Sequence, residues 1–491
     1  MLSFDFQKII SQLLYNANDP LLFNSGFFFF YFLFVILVYQ LLYKHKLARI
    51  FFFTLCSFYF FYKACGFYFL LIVLSAVVDF NLSNWIYKTL NPTKRKLLLV
   101  ISVVINLGSL AYFKYTNFFI DIINDLQIGQ IKPLYILLPI GISFYTFENL
   151  SYTIDVYRKQ FKPVKSFLEY CFFLSFFPKL VMGPIVRASD FIPQIKKDIF
   201  VSEHDVSKGL FLIMAGLFKK VVVSDYIYIN YVQYIFDTPE KYSGIECLFG
   251  VYGYALVIYC DFSGYSDMAI GMAQWMGFSI PANFNTPYQS TSITEFWRRW
   301  HISLSSWLRD YLYIPLGGNK KGKVRQYFNL FTTMLLGGLW HGASWNFVIW
   351  GALHGTALAI DKLRLTFFPN QKFMKFPFNF LGWLITFNLV CFCWIFFKAE
   401  TLADSVVIIK QIFTNLHIDA LGDLVNAYGK VFMVMGLAFG LHLLPNRLDE
   451  YVIGGFQKIT IVGRALVLIF IIWLAIQSKT AEQVLPIYLQ F

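Results

Sequence analysis

An all-α protein built into a lipid bilayer is the fold class this sequence predicts, and three observations carry it. Charged residues make up only 14% of the 491 residues, against about 25% in soluble domains. Hydrophobic residues reach 58% and aromatic residues 20%, with 58 Phe and 31 Tyr, for a mean hydropathy of +0.58. Apolar runs recur along the chain at 27–43, 50–62, 66–80, 97–113, 134–150, 166–183, 208–224, 245–260, 326–345, 346–361, 374–397, 431–446 and 462–478.

A straight span needs roughly 20 residues, so these runs predict about 11–13 membrane segments, nearly all helical. The shorter runs must be re-entrant or packed inside protein, the only places where broken helices are tolerated at depth. The first run, 27–43, has no small-residue cleavage site after it and meets the basic cluster "KHKLAR" 44–49. It is expected to be a retained span with its C-terminal end in the cytoplasm. Runs 50–62 and 66–80 pair around Lys63, and "TKRK" 93–96 returns the chain inside. Runs 97–113 and 134–150 pair next, and "RKQFKPVK" 158–165 is inside again. These clusters, with "KKGKVR" 320–325 and "KLR" 362–364, account for the net charge of +13. Positive-inside topology explains that charge, and no nucleic-acid partner is expected. The runs divide into one membrane domain over 1–365 and a C-terminal helical extension over 366–491. No internal repeat is visible, which counts against an inverted-repeat transporter or lipid-linked-sugar flippase.

Several tempting signals fail. The seven Cys are scattered, so neither a disulfide framework nor a zinc site is expected, and no metal is assigned. "GGNKKGKV" 317–324 resembles a phosphate loop, but Val324 stands where the magnesium-binding hydroxyl belongs. No G-x-S-x-G elbow occurs. Asp261 and Asp267 in "DFSGYSD" are explained as helix caps and turns at a membrane boundary. His45, His204, His417 and His442 have no companions that suggest ligation.

The stretch "TEFWRRWHISLSSWLRDYLYIPLGGN", 294–319, does not fit a plain span. On a helix over 296–312, Trp297, Trp300, Leu304, Trp307, Leu308, Tyr311 and Leu312 share a broad face, with Arg298, Ser305 and Arg309 along one flank. That is an amphipathic helix able to lie at the interface or line a wet cavity. His301 falls on the apolar face, where it is either a satisfied core histidine or a site residue. His341 is the stronger candidate. The run 326–360 contains no Asp, Glu, Lys or Arg, and His341 sits in it among Gly337, Gly338 and Gly342. A lone ionisable group at that depth points to function. Burial keeps an imidazole neutral, as a general base requires. His354, near "DKLR", is weaker.

Four segments together resemble the membrane-bound O-acyltransferase (MBOAT) family: "FFPKLVMGPIVR" 176–187, "YCDFSGYSDMAIGMAQWMGF" 259–278, the stretch from "NFNTPYQ" to "LGGN" 283–319, and "LLGGLWHGASWNFVIWGALHG" 335–355. The resemblance covers roughly 100–365. It is nearest to the bacterial branch that acetylates alginate and peptidoglycan, with the teichoic-acid D-alanyl transferases as shorter cousins. It implies a ring of tilted helices around a central tunnel. It makes His341 the catalytic residue and His301 the second histidine. It implies a cytoplasmic thioester donor such as acetyl-CoA and no bound cofactor, with Arg298, Arg299, Arg309 and Trp340 as donor contacts beside a cavity that reaches His341. It also implies a multi-pass location in the bacterial cytoplasmic membrane, and an extracytoplasmic partner of the SGNH-hydrolase type that finishes transfer to a polysaccharide. D-alanyl transfer is the nearest alternative.

"LPIYLQF", 485–491, closes the sequence given. Its aromatic residues suit an interfacial anchor. It also resembles the C-terminal P-x-I-Y-x-x-F segment of such acyltransferase systems, although Pro486 sits one residue closer to Ile487 than that pattern has it. By that resemblance Tyr488 carries the acyl group outward.

Overall fold

The computed structural model describes residues 6–17, 19–367, 378–445, 447–478 and 484–489. These residues form helices and no strand, as the all-α reading requires. Six helical stretches are long and apolar enough to cross a membrane: Lys46–Lys88, Pro92–Asp125, Gly244–Trp275, Asn379–Lys398, Ile418–Leu443 and Ile461–Ser478. Gly26–Leu42 is a shorter apolar helix. The protein is a multi-pass membrane protein. The chain divides into two compact units, residues 1–209 with 269–281, and residues 210–268 with 282–491.

The first unit contains α1 (Gly26–Leu42), α2 (Lys46–Cys65), α3 (Phe69–Lys88), α4 (Pro92–Asp125), α5 (Ile142–Tyr157) and α6 (Phe167–Ser175). Two apolar runs fold differently from uniform helices. In 134–150 the helix begins only at Ile142, after Gly141 adopts φ 79°. A side chain on Gly141 would come within 2.9 Å of the Leu180 carbonyl. The run 166–183 breaks at Phe176, and Pro178 then occupies the first turn of the short helix Phe177–Leu180, a place where its missing N–H costs nothing. A buried aromatic cluster of Phe53, Phe172, Phe176, Phe191 and Phe278 fills this unit, with Phe191 stacked on Phe278 at 5.2 Å. Two of its buried carboxylates are satisfied internally. Glu148 pairs with Lys179 and accepts the Val186 N–H. Asp79 accepts from Ser102, Asn106 and Thr153.

The second unit holds the histidines of interest. Its part of α7 (Gly244–Trp275) is followed by the short α8 (Ile293–Arg299) and α9 (Ile302–Leu308), then α10 (Lys323–His341), α11 (Trp345–Phe367), α12 (Phe378–Lys398), α13 (Leu421–Leu443) and α14 (Ile461–Ser478). Helices α10 and α11 touch backbone to backbone. A Cβ on Gly338 would lie 2.3 Å from the Phe347 carbonyl, and one on Gly351 would lie 2.6 Å from that of Met334. Small residues at such crossings let membrane helices gain dispersion contacts that larger side chains prevent. This close fit fixes the end of α10, and with it His341.

The predicted single helix over 296–312 is broken. Trp300 is extended and His301 is left-handed, at φ 42° and ψ 56°. The cause is a non-helical competitor. The Asn285 N–H donates to the Arg299 carbonyl at 2.9 Å, and the Ile302 N–H donates to the Asn283 carbonyl at 2.9 Å. The 283–285 segment therefore captures main-chain groups at the break, although apolar periodicity runs straight through it.

Candidate functional site

His301 enters the site from the break between α8 and α9. Helix α8 starts cleanly because Ser292 Oγ caps the Glu295 N–H. At the break, Asn283 Oδ1 accepts from the Ser303 N–H at 3.3 Å and the Ser303 hydroxyl at 3.0 Å. It also lies 3.0 Å from His301 Nδ1. An amide oxygen can only accept, so the pairing assigns the proton to Nδ1 and leaves Nε2 with its lone pair. Nε2 is buried without a hydrogen-bond partner among the described residues. Burial pushes the His301 pKa down to about 3, so the ring is neutral and presents an open acceptor. The left-handed backbone costs about 1–2 kcal/mol for a residue with a Cβ.

His341 is the last residue of α10 and is only 3% exposed. Its ring is enclosed by Trp340 at 4.9 Å, Trp350 at 5.1 Å and Phe397 at 5.3 Å between centroids. The remaining side of this aromatic box is closed by Tyr488, at 5.6 Å from His341. Tyr488 also lies 4.8 Å from Phe262, 6.1 Å from Trp340 and 6.2 Å from His301. The three residues read from the sequence as catalytic are thus brought together. Tyr488 is held there by its neighbour, since the Ile487 N–H donates to Asp261 Oδ2 at 2.9 Å. Gln490 and Phe491 lie outside the described residues.

The four expected donor contacts separate. Arg298 and Arg309 line a cavity of about 610 Å³, with Thr294, Trp297, Leu308 and Lys362 also in its wall. Arg299 instead pairs with Glu295 at 2.7 Å and donates to Thr286 at 3.2 Å. Trp340 belongs to the aromatic box. The cavity lies beside the 294–319 stretch as expected, but His341 does not line it. Trp297 does, and its ring is 5.8 Å from Trp350, the residue that packs on His341. Two tryptophans thus stand between the cavity and the imidazole.

His354 accepts the Trp297 indole N–H at 3.3 Å, and His442 accepts the Tyr288 backbone N–H at 3.1 Å. Both histidines are braces for the site's walls. Asp261 and Asp267 are not caps. They lie inside α7, paired with Lys220 at 2.6 Å and Lys219 at 2.7 Å. The signal that could have exposed them was the lysine pair inside the apolar run 208–224, where charge requires a partner. Asn283 carried no local signal, because its role depends on pairing with residues some twenty positions away.

Comparison with known proteins places the chain in a family. The model of the membrane-bound O-acyltransferase family matches residues 145–402, more than half of the chain. A peptidoglycan O-acetyltransferase from Helicobacter pylori is 36% identical over 423 residues, covering 79% of each chain. A probable alginate O-acetylase, AlgI, from Pseudomonas putida is 42% identical over 384 residues, covering 77% of this chain and 72% of its own. A teichoic acid D-alanyltransferase from Bacillus subtilis is 30% identical over 281 residues, covering 53% of this chain and 69% of its own. The family model over more than half of the chain and relatives at 36–42% identity show that the chain belongs to the membrane-bound O-acyltransferase family.

Proposed function

We propose that this enzyme takes an acetyl group from a cytoplasmic thioester, acetyl-CoA or a related donor, and passes it outward for O-acetylation of an extracytoplasmic polysaccharide of the alginate or peptidoglycan kind. The bacterial relatives support a location in the cytoplasmic membrane. The observation that carries the reading is the seating of Tyr488 against His341 and His301.

In this reading His341 is the general base. It takes the phenolic proton, the phenol oxygen attacks the thioester carbonyl, and the C–S bond breaks. The thiolate leaves with the proton returned by the imidazolium, and the acetyl group rests on Tyr488. A phenol with an ordinary pKa near 10 needs such a base at neutral pH. His301 packs its ring against the phenol and helps fix where it sits. Arg298, Arg309 and Lys362 give the cavity a cationic wall suited to the phosphates of a CoA-type donor. A partner of the SGNH-hydrolase type would then move the acetyl group from the tyrosine to the polymer.

Purified enzyme given acetyl-CoA should consume the thioester and gain one acetyl group on the peptide containing Tyr488, read by mass spectrometry. An enzyme that leaves acetyl-CoA intact but accepts a D-alanyl thioester would return the assignment to the D-alanyl branch.

A further inference from the structure

If Tyr488 carries the acyl group, the segment 484–489 must be held inside the protein. The hold lies in charges the reaction does not use. Lys220 is fully buried and Asp261 is 1% exposed. Lys220 and Asp225 are five residues apart and meet at 2.7 Å because Phe218–Asp225 is a π-helix, whose five-residue repeat puts them on one face. Lys220 Nζ also lies 2.6 Å from Asp261 Oδ1.

Asp261 divides its two oxygens. Oδ1 faces the lysine, while Oδ2 accepts the Ile487 N–H at 2.9 Å. Lys220 Nζ in turn reaches the Val484 carbonyl at 3.5 Å. Buried ion pairs are a weak source of stability, because desolvation offsets their attraction. This one carries a second charge-assisted bond, to the tail's main chain.

We propose that Lys220, Asp225 and Asp261 form a docking clamp that grips the backbone of residues 484–487 and so sets the depth at which Tyr488 enters the aromatic box. The clamp contacts an N–H and a C=O, atoms common to nearly every residue. Side-chain selection therefore falls to the next position, where the box of Phe262, Trp340, His301 and His341 admits an aromatic ring. These three residues are positioning residues, and their importance for turnover rests on Tyr488 being the carrier. The docking itself does not.

Ile487→Pro tests the clamp from the tail side. It removes the N–H and leaves Lys220 and Asp261 untouched, while Ile487→Val keeps the N–H as a control. Asp261→Asn tests it from the helix side. Hydrogen–deuterium exchange on the purified full chain should show the Tyr488 and Leu489 amides exchanging about tenfold faster or more in Ile487→Pro and in Asp261→Asn, with wild-type protection in Ile487→Val. Acetyl-Tyr488 should fall in parallel. If Asp261→Asn does not fold, Ile487→Pro alone decides. Unchanged protection in Ile487→Pro overturns the clamp whatever happens to acetylation. Lost protection in a protein whose wild type never acetylates Tyr488 upholds the clamp and removes the carrier reading instead.

Discussion

The two ends of the candidate site are built from opposite materials. Around His341 the walls are Trp340, Trp350, Phe397 and Tyr488, and the histidine is almost sealed. Around the cavity the wall carries Arg298, Arg309 and Lys362. Arg309 is partly neutralised by Asp310 at 2.6 Å. A dry aromatic box strengthens every electrostatic contact made inside it and excludes water from a reactive ester. A cationic wall does the reverse task. It attracts a hydrated anion and holds it by charge, with little demand on geometry. On the proposed function, the difference separates chemistry from capture, and Trp297 in the cavity wall packs on Trp350 of the box.

That comparison can be broken from the dry end first. His341→Ala should lower acetyl transfer about a thousandfold, the scale of a lost general base. The donor KM should hardly move, because the imidazole does not line the cavity. Measuring kcat and KM separately checks this, and a mutant that loses donor affinity instead would merge the two ends. Tyr488→Phe keeps the ring and removes only the nucleophile. Polymer acetylation should drop to background while hydrogen exchange in the tail stays at its wild-type rate. Full polymer acetylation by that variant would return the residue to interfacial anchoring.

The cationic end should respond more gently. Arg298→Glu with Lys362→Glu should raise the donor KM about 10–100-fold and leave kcat within about threefold, since only ground-state capture is weakened. The smallest effect belongs to Arg299→Ala. Its guanidinium is committed to Glu295 and Thr286, so the donor KM should change by less than about twofold. A large effect there would place Arg299 at the donor despite its pairing with Glu295.

Much of this was readable before any coordinates. The apolar runs predict about 11–13 membrane segments. Six helical stretches among the described residues are long and apolar enough to span. They are helical because helix is the simplest way to satisfy a backbone in lipid. His341 stood out among glycines, as one of two imidazoles in a run free of Asp, Glu, Lys and Arg. The failures share one cause. Local periodicity cannot see a competitor that arrives from elsewhere in the chain. The helix over 296–312 breaks because Asn283 and Asn285 capture the main chain at Arg299 and Ile302. Asp261 looked like a cap because its partners, Lys220 and Ile487, lie far away in sequence. Apolar composition likewise hid that part of 134–150 is not helix.

The left-handed histidine at the break has a consequence for how this sequence can drift. Glycine would relax the backbone at position 301, and asparagine would tolerate it, so the position is a local stability defect that simple substitutions could repair. Either repair discards the imidazole that Asn283 holds beside Tyr488. If His301 serves the proposed reaction, random change at this site is pulled toward sturdier proteins that catalyse less. A screen selecting for thermal robustness alone should enrich such replacements, and a screen selecting for acetylation should purge them.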